Sequence, residues 1–446
     1  MQCFAPVVLF GTLLALGCAD EAGTEGEAGT ADAASPADAE TVIDSGASDG
    51  GASPAEPTLP STCPDSGVEH VTADLGWSEG DEVRGALTEL LSTVEPGDTI
   101  VLSHMYQLAE GGVTVPEGVR VRATEGAGFQ LTGITDGGPP WIDIGSCSHW
   151  HNVTLIDDEE RGPEEFVRTN NRTALRATGR DLLFTQLLFD TNTKTQLELR
   201  DVTGVRIHST HFDNGYFTVL IRPQSQDIEI TDSLFANSYG DGIKTIGGGG
   251  QDIRRVGVRD TVFEDNLRDG IDTTAGWRST RVERCLFRRN GVSGMDIKNS
   301  YTSESDLHPE GSPNSDIAIV DSEFIGHSNG IVLTTNDRIQ TMTEQSDAIH
   351  LVHDVRVEGC IFERNEGSGR AFLIKDAHSV SWDGLMLLGE VSLHRIYGPD
   401  ENRTFGGEPV RPPIPMSNFD IEGTNVATGA ARSPSNDYPF EVVGPR

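Results

Sequence analysis

Between Ile228 and Asn299, apolar and polar positions recur in one pattern, read three times as ITDSLFANSYGDGIKT, VRDTVFEDNLRDGIDT and VERCLFRRNGVSGMDIKN. Each copy has a β-rich run, a Phe, a polar turn, then Gly and a second β-rich run. The repeat Phe falls at Phe189, Phe212, Phe235, Phe263, Phe287, Phe324 and Phe362, giving steps of 23, 23, 28, 24, 37 and 38 residues. Recurrence of a unit of this size implies a solenoid. The unit shows two short runs around a turn and no helical periodicity, so one copy is predicted to be one coil of a parallel β-solenoid. Equivalent residues of neighbouring coils then stack at the strand spacing, about 4.8 Å.

Stacking turns each repeat position into a column. Five residues before the Phe stand Ile207, Ile230, Val258, Val282, Ile319 and Val357. The Phe column predicts an internal aromatic ladder. Three residues after it, Asn192, Asn266, Asn290 and Asn365 predict a turn ladder that satisfies its own amides. Two residues before it stand Thr210, Ser233, Thr261, Cys285, Ser322 and Cys360, a column of small inward residues. Cys285 and Cys360 lie two coils apart, roughly 10 Å, beyond disulfide reach, and are expected to be buried free thiols. Cys63 and Cys147 are the expected disulfide pair in an exported protein.

The chain divides by composition. An apolar run, Val7 to Gly17, is of signal-peptide length and ends in Ala15-Leu16-Gly17-Cys18, which resembles a bacterial lipobox. Residues 1–18 are therefore expected to be an export signal, with Cys18 lipidated. Residues 19–62 hold ten acids, no basic residue and almost nothing to bury; such a segment stays disordered and serves as a tether. Residues 63–400 are expected to form the solenoid. Glu82 to Leu91 has helical spacing, with Asp81 as its candidate cap, and is placed over the open end of the first coil. Two insertions, about Tyr301 to Ser315 and about Thr335 to Ser346, both follow the second run and should rise on one side. Residues 401–446 lack the repeat and are expected to be an irregular segment packed on the solenoid. The molecule is then expected to be a monomer at the bacterial outer membrane or cell surface, touching the membrane through its lipid anchor only.

Charge narrows the partners. The net charge of −37 argues against nucleic acid, which is held by clusters of Lys and Arg. A local basic cleft on an acidic protein still permits an acidic polysaccharide. Lysine is scarce, confined to Lys194, Lys244, Lys298 and Lys375.

Chemistry concentrates after the turn. Gly242-Ile243-Lys244-Thr245-Ile246 is followed one coil later by Gly270-Ile271-Asp272-Thr273-Thr274, then by Gly294-Met295-Asp296-Ile297-Lys298. Strand alternation directs Ile243, Ile271 and Met295 inward and stacks Lys244, Asp272 and Asp296 outside, with Lys298 two residues along. Asp241 and Asp269 precede the glycines. Carboxylates about 5 Å apart repel unless a proton or cation intervenes, and hard oxygen ligands suit Ca²⁺. Asp269, Asp272 and Asp296 are thus the candidate metal ligands, Lys298 and Lys244 the candidate bases, and Arg222, Arg278 and Arg281 the candidate binders of a substrate carboxylate.

The repeats resemble the right-handed parallel β-helix family, and within it the calcium-dependent pectate lyases, over roughly residues 82 to 390. The resemblance implies an all-β, right-handed parallel β-helix solenoid with a short N-terminal capping helix. It also implies β-elimination on a uronate-containing polysaccharide, with Asp269 and Asp272 as ligands and Lys298 as base. Arg268 and Lys244 stand where that family places two further acids, so Asp241 and Asp296 would have to substitute for them. A second reading is a non-catalytic surface β-helix that binds glycan. A third, an inverting glycoside hydrolase using Asp272 and Asp296, asks for a wider carboxylate separation than adjacent strands give. Weaker candidates are His149-Trp150-His151 and, in the first insertion, His308 and Glu310.

Overall fold

The computed structural model describes residues 57–430 apart from 134–136, 158–161, 247–251, 275, 302–312, 338–351, 376, 398–403, 406–407 and 410–420. Cys18, His308 and Glu310 lie outside the described residues.

Among the described residues, thirty-two strands join by parallel pairing into one winding sheet. Each regular coil has three strands, where the sequence pattern suggested two. The first face stacks strands such as Gln226–Thr231, Ile253–Arg259 and Trp277–Glu283. The second stacks three-residue strands centred on the repeat Phe, such as Leu234–Ala236, Val262–Glu264 and Leu286–Arg288. The third stacks Asp241–Thr245, Asp269–Thr273 and Ser293–Tyr301. The corner between the first two faces is one residue with positive φ: Asp232 (51°), Asp260 (50°), Arg284 (51°) or Asp321 (49°). Short polar side chains tolerate this left-handed conformation best, which is why acids recur there. Arg284 departs from that rule, and its guanidinium grips Asp260 of the coil before it at 2.6 and 2.7 Å.

The Phe column forms in register from Phe189 to Phe362. Its rings stack with centroids 4.7 to 4.9 Å apart and planes within 15°. The stack explains the repeat glycine. A Cβ on Gly270, Gly294 or Gly330 would come within 2.4 to 2.6 Å of Phe287, Phe324 or Phe362. Glycine is demanded by an aromatic ring there, not by a turn.

The two polar columns hydrogen-bond along and within the stack. The Nδ2 of Asn266 donates to Asn290 Oδ1 at 2.8 Å, and that of Asn290 to the carbonyl of Phe263 at 3.1 Å. The next position is His327, whose Nδ1 faces the Asn290 carbonyl at 3.2 Å. The side chain of Asn365 lies outside the described set. In the small column Ser233, Thr261 and Ser322 donate to the carbonyl two residues back at 2.7 to 2.9 Å. Cys285 and Cys360 do the same through sulfur at 3.4 Å. Both are buried free thiols, pushed up to about 12 by burial.

Helix α1, Arg84–Leu91, buries Leu87 and Leu91 over the first coils. Asp81 does not cap it. Its carboxylate accepts from Ser78 N, and Glu82 accepts the helix-entry N–H of Arg84 at 2.9 Å. The stack runs past residue 400, because Ile421–Thr424 pairs with Val380–Asp383 and Ala427–Gly429 with Met386–Leu388.

Before the first strand, Glu69–Val71, the chain forms a strap across the first face. Thr58 O accepts from Arg206 at 2.9 Å, Cys63 is disulfide-bonded to Cys147, Pro64 O accepts from Arg120 at 3.0 Å, and Ser66 N donates to Gly97 O at 3.1 Å. Successive strap residues thus meet successively earlier coils.

Candidate functional site: a carboxylate and amine cluster on the third face

Register brings Lys244, Asp272 and Asp296 into one column on consecutive coils. Glu198 and Leu220 precede them, and Val332 and Leu373 follow. The side chains interlock. Lys244 Nζ contacts Asp272 Oδ2 and lies 3.8 Å from Asp241. Lys298 Nζ reaches across to Asp272 Oδ1 at 3.0 Å and to Asp296 Oδ2 at 2.7 Å. Asp269 accepts from the hydroxyl of Ser293. Arg268 sits 3.9 Å from Asp241 and donates to Tyr216 Oη at 3.2 Å.

The predicted column therefore exists, but not as an open surface. Asp241 and Asp272 are 0% exposed and Asp269 is 1% exposed. The rim is made by Lys244, Lys298 and Asp296, whose side chains are 11%, 15% and 15% exposed. Burial sets the protonation pattern. It pushes Asp241 up to about 7, with the Asp272 charge adding to it. It pushes Asp269 well above the usual carboxylate range, with Asp241, Asp296 and Asp272 adding to it. Burial raises Asp296 as well, although Lys298 opposes it. For Asp272 burial is outweighed by Lys244 and Lys298, which hold it at about 2. Burial would lower Lys298, but Asp272 and Asp296 prevail and hold it as a firm ammonium. One carboxyl held low thus sits between two amines, with three that burial raises, Asp241, Asp269 and Asp296, beside it.

The compact oxygen set differs from the one expected. Asp241, Asp269 and Asp272 bring carboxylate oxygens within 4.8 Å of one another, whereas Asp296 turns to Lys298. The reason is local: Gly242 and Ile243 both face the core, so alternation slips at the corner and Asp241 stays outside. Neither oxygen of Asp241 accepts a hydrogen bond. Three buried carboxylates, with both oxygens of Asp241 and one of Asp272 lacking a hydrogen bond, offer the hard oxygen donors that calcium takes, so these residues fit calcium.

The arginines separate. Arg222 is on the third face, donating to Glu198 at 2.8 Å. Arg278 and Arg281 belong to the next strand on the first face, paired with Asp252 at 3.3 Å and Glu283 at 2.8 Å. They do not join the cluster. His149 and His151 are also on the first face, both bonded to Thr185 Oγ1 at 3.1 and 2.9 Å. Burial, then His151 and Arg120, lowers His149 to about 4. Asp241 and Arg268 were named from the sequence, through the Asp-Gly that recurs at 241 and 269; Tyr216, which joins through Arg268, was not.

No protein-family model and no curated protein matches this chain. Solved structures do resemble it. A polygalacturonase from Erwinia carotovora ssp. carotovora matches with TM-score 0.54 at 10% identity, covering 85% of this chain and 98% of that one. PfbA, a surface adhesin of Streptococcus pneumoniae, matches with TM-score 0.53 at 10% identity, covering 81% and 93%. The Dettilon tailspike protein matches with TM-score 0.52 at 11% identity, covering 80% and 68%. The shared element is the fold, a right-handed parallel β-helix.

Proposed function

We propose that this chain is an exported β-helix protein that engages a uronate-containing polysaccharide on its third face and cleaves it by β-elimination. The observation that supports this reading is the convergence of Lys244, Asp272, Asp296 and Lys298 on one wall from three consecutive coils. Lys298 is the residue assigned to the sugar C5 proton, and Lys244 the amine that keeps Asp272 ionised beside it. Calcium held by Asp241, Asp269 and Asp272 would supply positive charge against the uronate carboxylate. Asp272 and Asp296 hold Lys298 as an ammonium in the resting site, so it becomes a base only once substrate entry loosens those contacts. The Lys298→Ala variant is expected to release no unsaturated, ultraviolet-absorbing product from polygalacturonate or alginate. Unchanged product release by that variant would remove Lys298 from the reaction.

A second reading, a non-catalytic glycan-binding β-helix, is favoured by one observation: the three acids are almost fully buried and the amines are already neutralised. It predicts binding of such polymers without product, with and without calcium. Lipidation of Cys18 belongs to the proposal and is supported by the apolar run before it; labelled fatty acid should enter the wild type and not Cys18→Ala.

A further inference from the structure

Three and four coils before Lys298 on the same face, the charge pattern changes. Glu198 is buried, its side chain 4% exposed, and a single oxygen of it, Oε1, accepts from both Arg200 and Arg222 at 2.8 Å. Burial would raise Glu198, but the two guanidiniums outweigh it and hold the carboxylate ionised. Arg222 spends only its Nε on this contact and Arg200 only one Nη. Among the described residues, their remaining N–H groups have no acceptor. Both side chains are partly open, at 43% and 34% exposure. They line a groove of about 430 Å³ shared with Asp201 and Gln224, which meets at Arg200 a second groove of about 480 Å³ containing Arg176 and Thr178. One acid anchoring two guanidiniums fixes their planes and leaves forks of donors pointing into open space. That arrangement matches a planar carboxylate two donors at a time.

Register connects this place to the cluster. Ile221, Thr245, Thr273 and Ile297 are mutual strand partners, so the residues after them, Arg222, Ile246, Thr274 and Lys298, occupy one outward column. Three strand steps put Arg222 about 14 Å from Lys298 along the axis. We infer that Arg200 and Arg222, fixed by Glu198, form a second subsite on the third face that takes the carboxylate of a uronate residue in the same polymer engaged at Lys298. The inference rests on the function proposed above and deepens it, since the polymer must then lie along the solenoid axis and span several coils.

The test is calorimetric binding of the full chain to polygalacturonate and to alginate, each as polymer and as disaccharide. Arg200→Ala combined with Arg222→Ala should weaken polymer binding ten-fold or more at low salt, with a smaller loss for the disaccharide, which cannot reach across. Arg222→Gln, which can still donate to Glu198, should show the same direction if the double variant fails to fold. Asp201→Asn should tighten polymer binding. Equal polymer affinity in the folded arginine variants, with Lys298→Ala still abolishing product, overturns the subsite and leaves the proposed function standing. Failure of the wild type to bind either polymer overturns both.

Discussion

The second and third faces of this solenoid are built from the same coils and obey different rules. On the second face one residue type repeats: seven Phe in register, with third-face glycines against the rings of Phe263, Phe287, Phe324 and Phe362. On the third face the equivalent outward column reads Glu198, Leu220, Lys244, Asp272, Asp296, Val332. A uniform column adds the same contact at every step and specifies the stack. A mixed column gives each coil a different neighbour, so charge can be gathered at one height and nowhere else. Repetition marks architecture, and its interruption marks where chemistry is concentrated.

Substitutions can break that contrast. The largest effect is expected from Asp272→Ala, which leaves Lys244 and Lys298 without their shared acceptor; loss of one partner of a buried ion pair costs about 3–5 kcal/mol. Denaturant unfolding reads this directly, and a cost near zero would mean the cluster is not a buried network. Gly294→Ala should cost about 1–3 kcal/mol by overpacking, because its Cβ would lie 2.4 Å from Phe324. A thermal melt equal to wild type would show that the ladder yields.

His327 sharpens the comparison from inside the Asn column. Its Nε2 is buried without a partner, and burial lowers it to about 4 against an ordinary 6.5. The unfolded chain takes up the proton first, so stability should fall as pH drops from about 6.5 towards 4, by at most about 1.4 kcal/mol per pH unit for this group. His327→Asn should remove that part of the slope, which melts at pH 7 and pH 5 would show. The smallest effect concerns the uniform columns alone. Cys285 and Cys360, buried and raised, should resist alkylation until the protein unfolds, as mass spectrometry after reagent exposure would record.

The uniform columns were legible in the sequence because identity recurs: the Phe ladder, the small column with its two thiols, and the register that aligns Lys244, Asp272 and Asp296. The division into three faces was less so, since a single left-handed residue such as Asp232 or Asp260 looks like any polar residue between apolar ones. Alternation told which side Asp272 faces but not how deeply it is covered. Nor did it show which carboxylate oxygens lie closest: two consecutive inward residues at the corner, Gly242 and Ile243, bring Asp241 beside Asp269 and Asp272 and leave Asp296 to Lys298. Arg278 and Arg281 lie close to the cluster in sequence yet past a corner, which proximity along the chain cannot reveal.

The strap has a mechanical consequence. Its contacts run from Arg206 through Cys147 and Arg120 to Gly97, so tension arriving at Pro57 is delivered near the middle of the rod. It is resisted in shear by several rungs and one covalent crosslink, and the terminal rung, with its exposed edge, is spared from peeling.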